Sequence, residues 1–358
     1  MKYKSLIIYW LLSISLSFNL CVLARYIAPL HPHTYDTFLW KAIPTVYGID
    51  IRTLPADHPY IKEFEERSVG VMGRRVAATW LASKAVTLVK PITMEGVQFG
   101  VGLWVGGWFF IYAVLVYFFP NRIFALLCGA LSVFWAYMPA VVGGAITRIG
   151  VHDMPAMVFM TLGVLVWLKK PSFLPLVILA GIPFKDTITT LTILPAIAWL
   201  TDIRSRCKFD TLVFSVCAIA TGNYIIQLCN PVHAPATELV GWCSPESPHE
   251  LRLWWNIKWI LKMQAHSALF ICAGTLLASV IVGLMNIKDN LQWLILLGLL
   301  CGGLMLCANM QEYRVWLETV PVSILILTID KASGKRTETI ADQANLSDTH
   351  LSSETESG

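Results

Sequence analysis

Long apolar runs broken by short polar turns dominate the pattern of this chain. The runs lie at 5–24, 96–119, 123–147, 154–168, 172–184, 187–200, 211–228, 265–285, 291–308 and 315–329. About 20 apolar residues in a helix cross the hydrocarbon core of a bilayer. In lipid, backbone polar groups must pair within their own segment, so such runs read as helices. The pattern therefore predicts an all-α fold, a polytopic transmembrane helical bundle of about ten spans. The runs at 172–184 and 315–329 are short for a full crossing, which a bundle tolerates when its neighbours cover the short helix. Pro139 and Pro195 fall inside runs and predict kinks.

Three stretches break the pattern. The first, 25–91, is long and polar and opens an outer loop that extends to about residue 95. Within it Asp57-His58-Pro59 reads as a helix start, with proline in the first turn. Val76, Trp80 and Lys84 recur at a spacing of four, which predicts an amphipathic helix lying at the membrane interface. The second stretch begins at Ser247-Pro248-His249-Glu250, a capping-box pattern. It leads into Trp254, Trp255 and Trp259 interleaved with Arg252, Lys258 and Lys262, again an interfacial composition. The third, 330–358, is rich in Ser, Thr, Asp and Glu and reads as a disordered cytoplasmic tail after a transmembrane domain at 1–329. At the N-terminus Val22-Leu23-Ala24 fits a signal-peptidase site. The run before it has membrane-spanning length, which favours a retained helix.

Composition agrees with the pattern: 56% of residues are hydrophobic and 14% charged, against about 25% charged in soluble domains. A formal net charge of +4 is too small to argue for nucleic acid as a partner. Most of the nine cysteines sit inside apolar runs, where a thiol behaves as a small hydrophobe. Cys229 and Cys243 flank one polar loop, and a disulfide between them stays open.

Charge also orients the spans. With the N-terminus inside, the inner turns hold Arg122, then Lys169 and Lys170, then Arg204, Arg206 and Lys208, then Lys288, then Lys331, Lys335 and Arg336. That is the distribution the positive-inside rule expects, with both termini cytoplasmic. The outer turns are charged too, but mixed in sign: Arg148, His152 and Asp153; Lys185 and Asp186; Glu312, Arg314 and Glu318. Ionisable groups at membrane depth are costly and face a cavity or one another. The plain reading of each is a structural ion pair, as Glu312 or Glu318 with Arg314 along one helix. Taken together on one side, they mark candidate chemistry. Arg148, Lys185 and Arg314, with Arg74 and Arg75 after Gly70-Val71-Met72-Gly73 in the first outer loop, suit phosphate oxygens. Asp36 and Asp153 suit a general base that takes a proton from an attacking hydroxyl, and His152 stands beside Asp153.

In this arrangement the chain resembles the GT-C superfamily of multi-spanning glycosyltransferases, which move a sugar from a polyprenyl-phosphate carrier on the outer or lumenal face. The resemblance rests on the topology and on short motifs: His33-Thr34-Tyr35-Asp36, Arg148-Ile149-Gly150-Val151-His152-Asp153-Met154-Pro155, Phe184-Lys185-Asp186-Thr187 and Glu312-Tyr313-Arg314. It implies that Asp36, in the first outer loop, is the catalytic base or a metal-binding acid. The acidic pair usual in that loop is absent here, since only Asp36 stands near the first span. It further implies a lipid-linked sugar donor and membrane lipids as partners, in a bacterial inner membrane, with Asp186 and Glu312 among the substrate-binding residues. Whether a divalent metal takes part is left open, as is the oligomeric state. A transporter or flippase of an anionic or lipid-linked solute is the reading from another class, and a polysaccharide polymerase or a structural membrane subunit are further ones. Transport is disfavoured because no internal repeat is present and the charges lie toward one face rather than the midplane. HExxH, P-loop and GxSxG motifs are absent.

Overall fold

The computed structural model describes residues 2–27, 76–78, 80–81, 94–137, 152–229, 257, 266–307 and 313–329. Among the described residues the fold is all-helical, with no strand. Its α-helices are α1 (Lys2–Ile27), α2 (Met94–Val116), α3 (Arg122–Tyr137), α4 (Asp153–Lys169), α5 (Leu174–Gly181), α6 (Ile193–Thr201), α7 (Arg206–Cys229), α8 (His266–Met285), α9 (Ile287–Cys307) and α10 (Val320–Ile329). Each falls on one of the apolar runs. By length and composition four segments suffice to cross a membrane: Ser5–Arg25 in α1, Phe99–Val116 in α2, Arg206–Cys229 in α7 and Ile287–Leu304 in α9.

The helices start and stop for local reasons. Pro120 follows the last turn of α2, where it cannot continue the helix. The Asn121 side chain then accepts a hydrogen bond from the Phe124 N–H (3.3 Å) and so caps α3. Pro171 ends α4 and opens a 3-10 turn, Pro171–Phe173, that leads into α5. Asp186–Thr192 is a 3-10 segment, not the start of a long α-helix as the run at 187–200 suggests. Five of its seven residues are β-branched, four of them Thr, and these lose side-chain freedom in a helix, while Thr190 Oγ1 donates to the Thr187 carbonyl (2.6 Å). The α-helix begins only at Ile193, so Pro195 sits in its first turn and introduces no kink. The run at 315–329 splits in the same way, into a 3-10 segment, Tyr313–Glu318, and α10. Pro139 lies outside the described residues.

Helix α4 is the hub. It packs against α2, α5 and α10 and against both long 3-10 segments, while α1 lies along α2, α5 on α7, and α8 on α10. Met154, Met157 and Met160 of α4 are fully buried, together with Phe109 and Tyr112 of α2, Leu126 of α3 and Trp293 of α9. The α1–α2 contact is close because Gly102 and Gly106 leave room for it: a Cβ on either would stand 2.7 Å from the carbonyl oxygen of Cys21 or Ser17. Small residues four apart let two helix backbones approach in this way. Outward-facing side chains are also apolar, among them Leu11 and Phe18 of α1, Phe214 and Leu228 of α7 and Met285 of α8. A chain apolar both inside and outside, with helices of this length, has the character of an integral membrane protein.

Candidate functional site

Three segments distant in sequence meet at the N-terminal end of α4. Asp153 is the first residue of α4 and His152 occupies the cap position before it. A carboxylate there complements the positive end of the helix dipole. Lys185 lies between α5 and the 3-10 segment Asp186–Thr192, in an extended conformation (φ −162°, ψ 133°). Pro183 helps to end α5, and the N–H groups of Phe184 and Lys185 both turn back to the Gly181 carbonyl. Gly181 permits this turn, since a Cβ there would stand 2.8 Å from Ile188. Glu318 closes the 3-10 segment Tyr313–Glu318, just before Thr319, whose hydroxyl donates to the Trp316 carbonyl (2.8 Å).

Lys185 Nζ donates to Asp153 Oδ1 at 3.1 Å and also forms an ion pair with Glu318 Oε1. His152 Nε2 stands 3.0 Å from the same Asp153 oxygen. All four side chains are withdrawn from solvent: Asp153 and Glu318 are 0% exposed, His152 2% and Lys185 4%. Asp186 is buried at the start of its segment. Aromatic rings back the cluster, with Phe184 4.9 Å from Phe159 of α4 and 5.6 Å from Trp108 of α2, measured between centroids. One lysine thus faces two carboxylates, those of Asp153 and Glu318, in a buried setting. Glu318 Oε2 and the Thr187 hydroxyl have no hydrogen-bond partner among the described residues. Unmade hydrogen bonds on buried groups are expensive, so these atoms are places where a polar ligand gains most.

Of the residues singled out in the sequence, His152, Asp153, Lys185 and Asp186 come together here. The phosphate role expected of Lys185 meets two carboxylates already on its ammonium, with which a phosphate has to compete. Arg314 belongs to the same 3-10 segment as Glu318, four residues earlier, or about 8 Å along its axis at roughly 2.0 Å per residue. Asp36, Arg74, Arg75, Arg148 and Glu312 lie outside the described residues, as does Cys243 of the candidate disulfide. Part of the polar stretch at 25–91 does reach the site. Residues 76–78 are helical, Val76, Ala77 and Leu81 pack on the core, and Trp80 is exposed. The Ala77 N–H donates to the Pro183 carbonyl (3.1 Å), two residues before Lys185. Glu318 is the site residue that sequence reasoning passed over. The sequence pairs it with Arg314 along one helix face, and its signal is its place in the same charged turn as Glu312 and Arg314.

Among the described residues no group of three or more His, Cys, Asp or Glu is arranged to hold a metal ion. Lys185 takes the place between Asp153 and Glu318 where a bridging cation would sit, so this donor set does not fit a divalent metal. The fold and site define an all-helical protein with membrane-length helices and a buried acid–base cluster at one helix end. Comparison with protein-family models, curated proteins and solved structures found no match.

Proposed function

We propose that the chain is a polytopic membrane glycosyltransferase of about ten spans that moves a sugar from a polyprenyl-phosphate carrier to an acceptor on the outer face of a bacterial inner membrane. The observation that supports it is the meeting of Asp153, Lys185 and Glu318, from three turns that positive-inside charge places on one side. Buried acids in excess of their lysine suit a hydroxyl-rich ligand, because a carboxylate oxygen accepts hydrogen bonds from sugar hydroxyls. Such a cluster repels phosphate, so the carrier phosphate falls to the arginines: Arg148 and Arg314, each four residues before a cluster member, and Arg74 and Arg75 of the first outer loop.

In this reading Asp36 removes the proton of the acceptor hydroxyl as it attacks the anomeric carbon, and the carrier phosphate leaves with the electron pair of the broken bond. Asp153, held by His152 and Lys185, positions the helix end, and Glu318 Oε2 receives a sugar hydroxyl. The hydrogen bond from the Ala77 N–H to the Pro183 carbonyl sets the short helical piece at 76–78 against this end of the bundle. The charges gather at helix ends, not at mid-helix, which favours transfer over transport.

The test is incorporation of labelled sugar from a polyprenyl-phosphate donor by purified protein in vesicles. Transfer is expected for the wild type, and its loss in Asp36→Asn with donor binding retained. Movement of the labelled carrier across the membrane without transfer would make the protein a flippase.

A further inference from the structure

The other end of α4 carries a second group of charged residues, which the proposed reaction does not use. Lys169, the last residue of α4, places its Nζ 4.4 Å from the centroid of the Phe118 ring. Arg122, the first residue of α3, holds its guanidinium 4.7 Å from the Tyr117 centroid and 5.7 Å from that of Tyr9. The Tyr117 and Phe118 rings meet edge to face with centroids 5.5 Å apart, so one aromatic step joins the two cations. The frame is fixed: Trp10 stacks on Tyr117 at 5.6 Å, and the Tyr9 hydroxyl donates to the Ala113 carbonyl.

Among the described residues neither Arg122 nor Lys169 has a carboxylate within ion-pair reach. Lys208, in another basic turn, does have one, with Asp202 Oδ2 at 3.2 Å. Cation–π contacts orient a guanidinium but leave its N–H donors unused. Arg122 is partly buried, Lys169 and Lys170 are exposed, and Ile7, Ile8, Phe118, Ile123 and Phe124 line the exposed surface beside them. Paired cations on interfacial aromatics, bordered by an apolar surface, match an anionic headgroup with its acyl chains.

We propose that Arg122 and Lys169 bind the phosphate of an anionic phospholipid in the leaflet at this end. The site is distinct from the acid cluster: at about 1.5 Å rise per residue, the 17 residues of α4 separate Lys169 from Asp153 by roughly 24 Å. It stands whether or not the protein transfers sugars.

The test is native mass spectrometry of the full chain, released from detergent after incubation with equal amounts of phosphatidylglycerol and phosphatidylcholine. The wild type is expected to retain phosphatidylglycerol preferentially. Each lost charge should lower that retention about fivefold, so Arg122→Gln with Lys169→Gln lowers it about 25-fold. Lys208→Gln should leave it unchanged. Should the double variant fail to fold, Lys169→Gln alone, at an exposed position, is expected to cost about fivefold. The proposal is overturned by no preference in the wild type, by wild-type retention in the Lys169 variant, or by an equal loss in Lys208→Gln.

Discussion

Lys185 is the side chain on which the cluster depends. It is a single buried cation between two buried carboxylates, supplied by α4 and by the segment before α10. Taking such charges out of water is costly, and their mutual attraction offsets the cost only while the set is complete. Lys185→Met leaves Asp153 and Glu318 facing each other without their cation. The expected loss is about 3–5 kcal/mol, read as a fall in melting temperature in detergent. Adding Glu318→Gln removes one of the stranded charges and should recover part of that loss. Strict additivity of the two changes would mean that the ion pair carries no coupling. His152, Asp153, Lys185 and Asp186 were legible as candidates because charge at membrane depth is rare and visible. Their meeting with Glu318 was not, because no local pattern says which helix ends converge.

At the scale of elements, the helices were legible and their first turns were not. Apolar length locates a helix, but it does not separate a 3-10 turn from an α turn. Hence the runs at 187–200 and 315–329 each hold a 3-10 segment ahead of a shorter α-helix. The close packing of α1 on α2 was hidden too. Gly102 and Gly106 sit four apart in a run that also contains Gly107, and only the structure tells which of them face α1. At Gly106 a Cβ would stand 2.7 Å from the Ser17 carbonyl and 2.9 Å from the Cys21 Cβ, while at Gly107 it would meet nothing within 4 Å. Gly106→Leu is therefore expected to push α1 off α2 and destabilise the protein by about 1–3 kcal/mol, the usual cost of overpacking. Gly107→Leu serves as the control and should leave the melting temperature nearly unchanged. Equal effects of the two would show that the α1–α2 contact is looser than described.

At the scale of the molecule, α4 joins two unlike ends. One holds Asp153 with Lys185 and Glu318; the other holds Lys169 with Phe118 and, through Tyr117, Arg122. The separation along α4, about 24 Å, is comparable to the hydrocarbon thickness of a bilayer, roughly 30 Å. The two groups therefore sit at opposite ends of α4. That arrangement makes the cluster the centre of the proposed transfer reaction. The most direct measurement is the initial rate of sugar transfer from a polyprenyl-phosphate donor by Glu318→Gln, set beside wild type. The substitution keeps the shape of the side chain and one acceptor oxygen but removes its charge. The account predicts a folded protein whose transfer rate falls by roughly 10- to 100-fold, the loss expected when a hydrogen bond to a charged acceptor is weakened in the reacting complex. A folded Glu318→Gln that transfers sugar at the wild-type rate would contradict it.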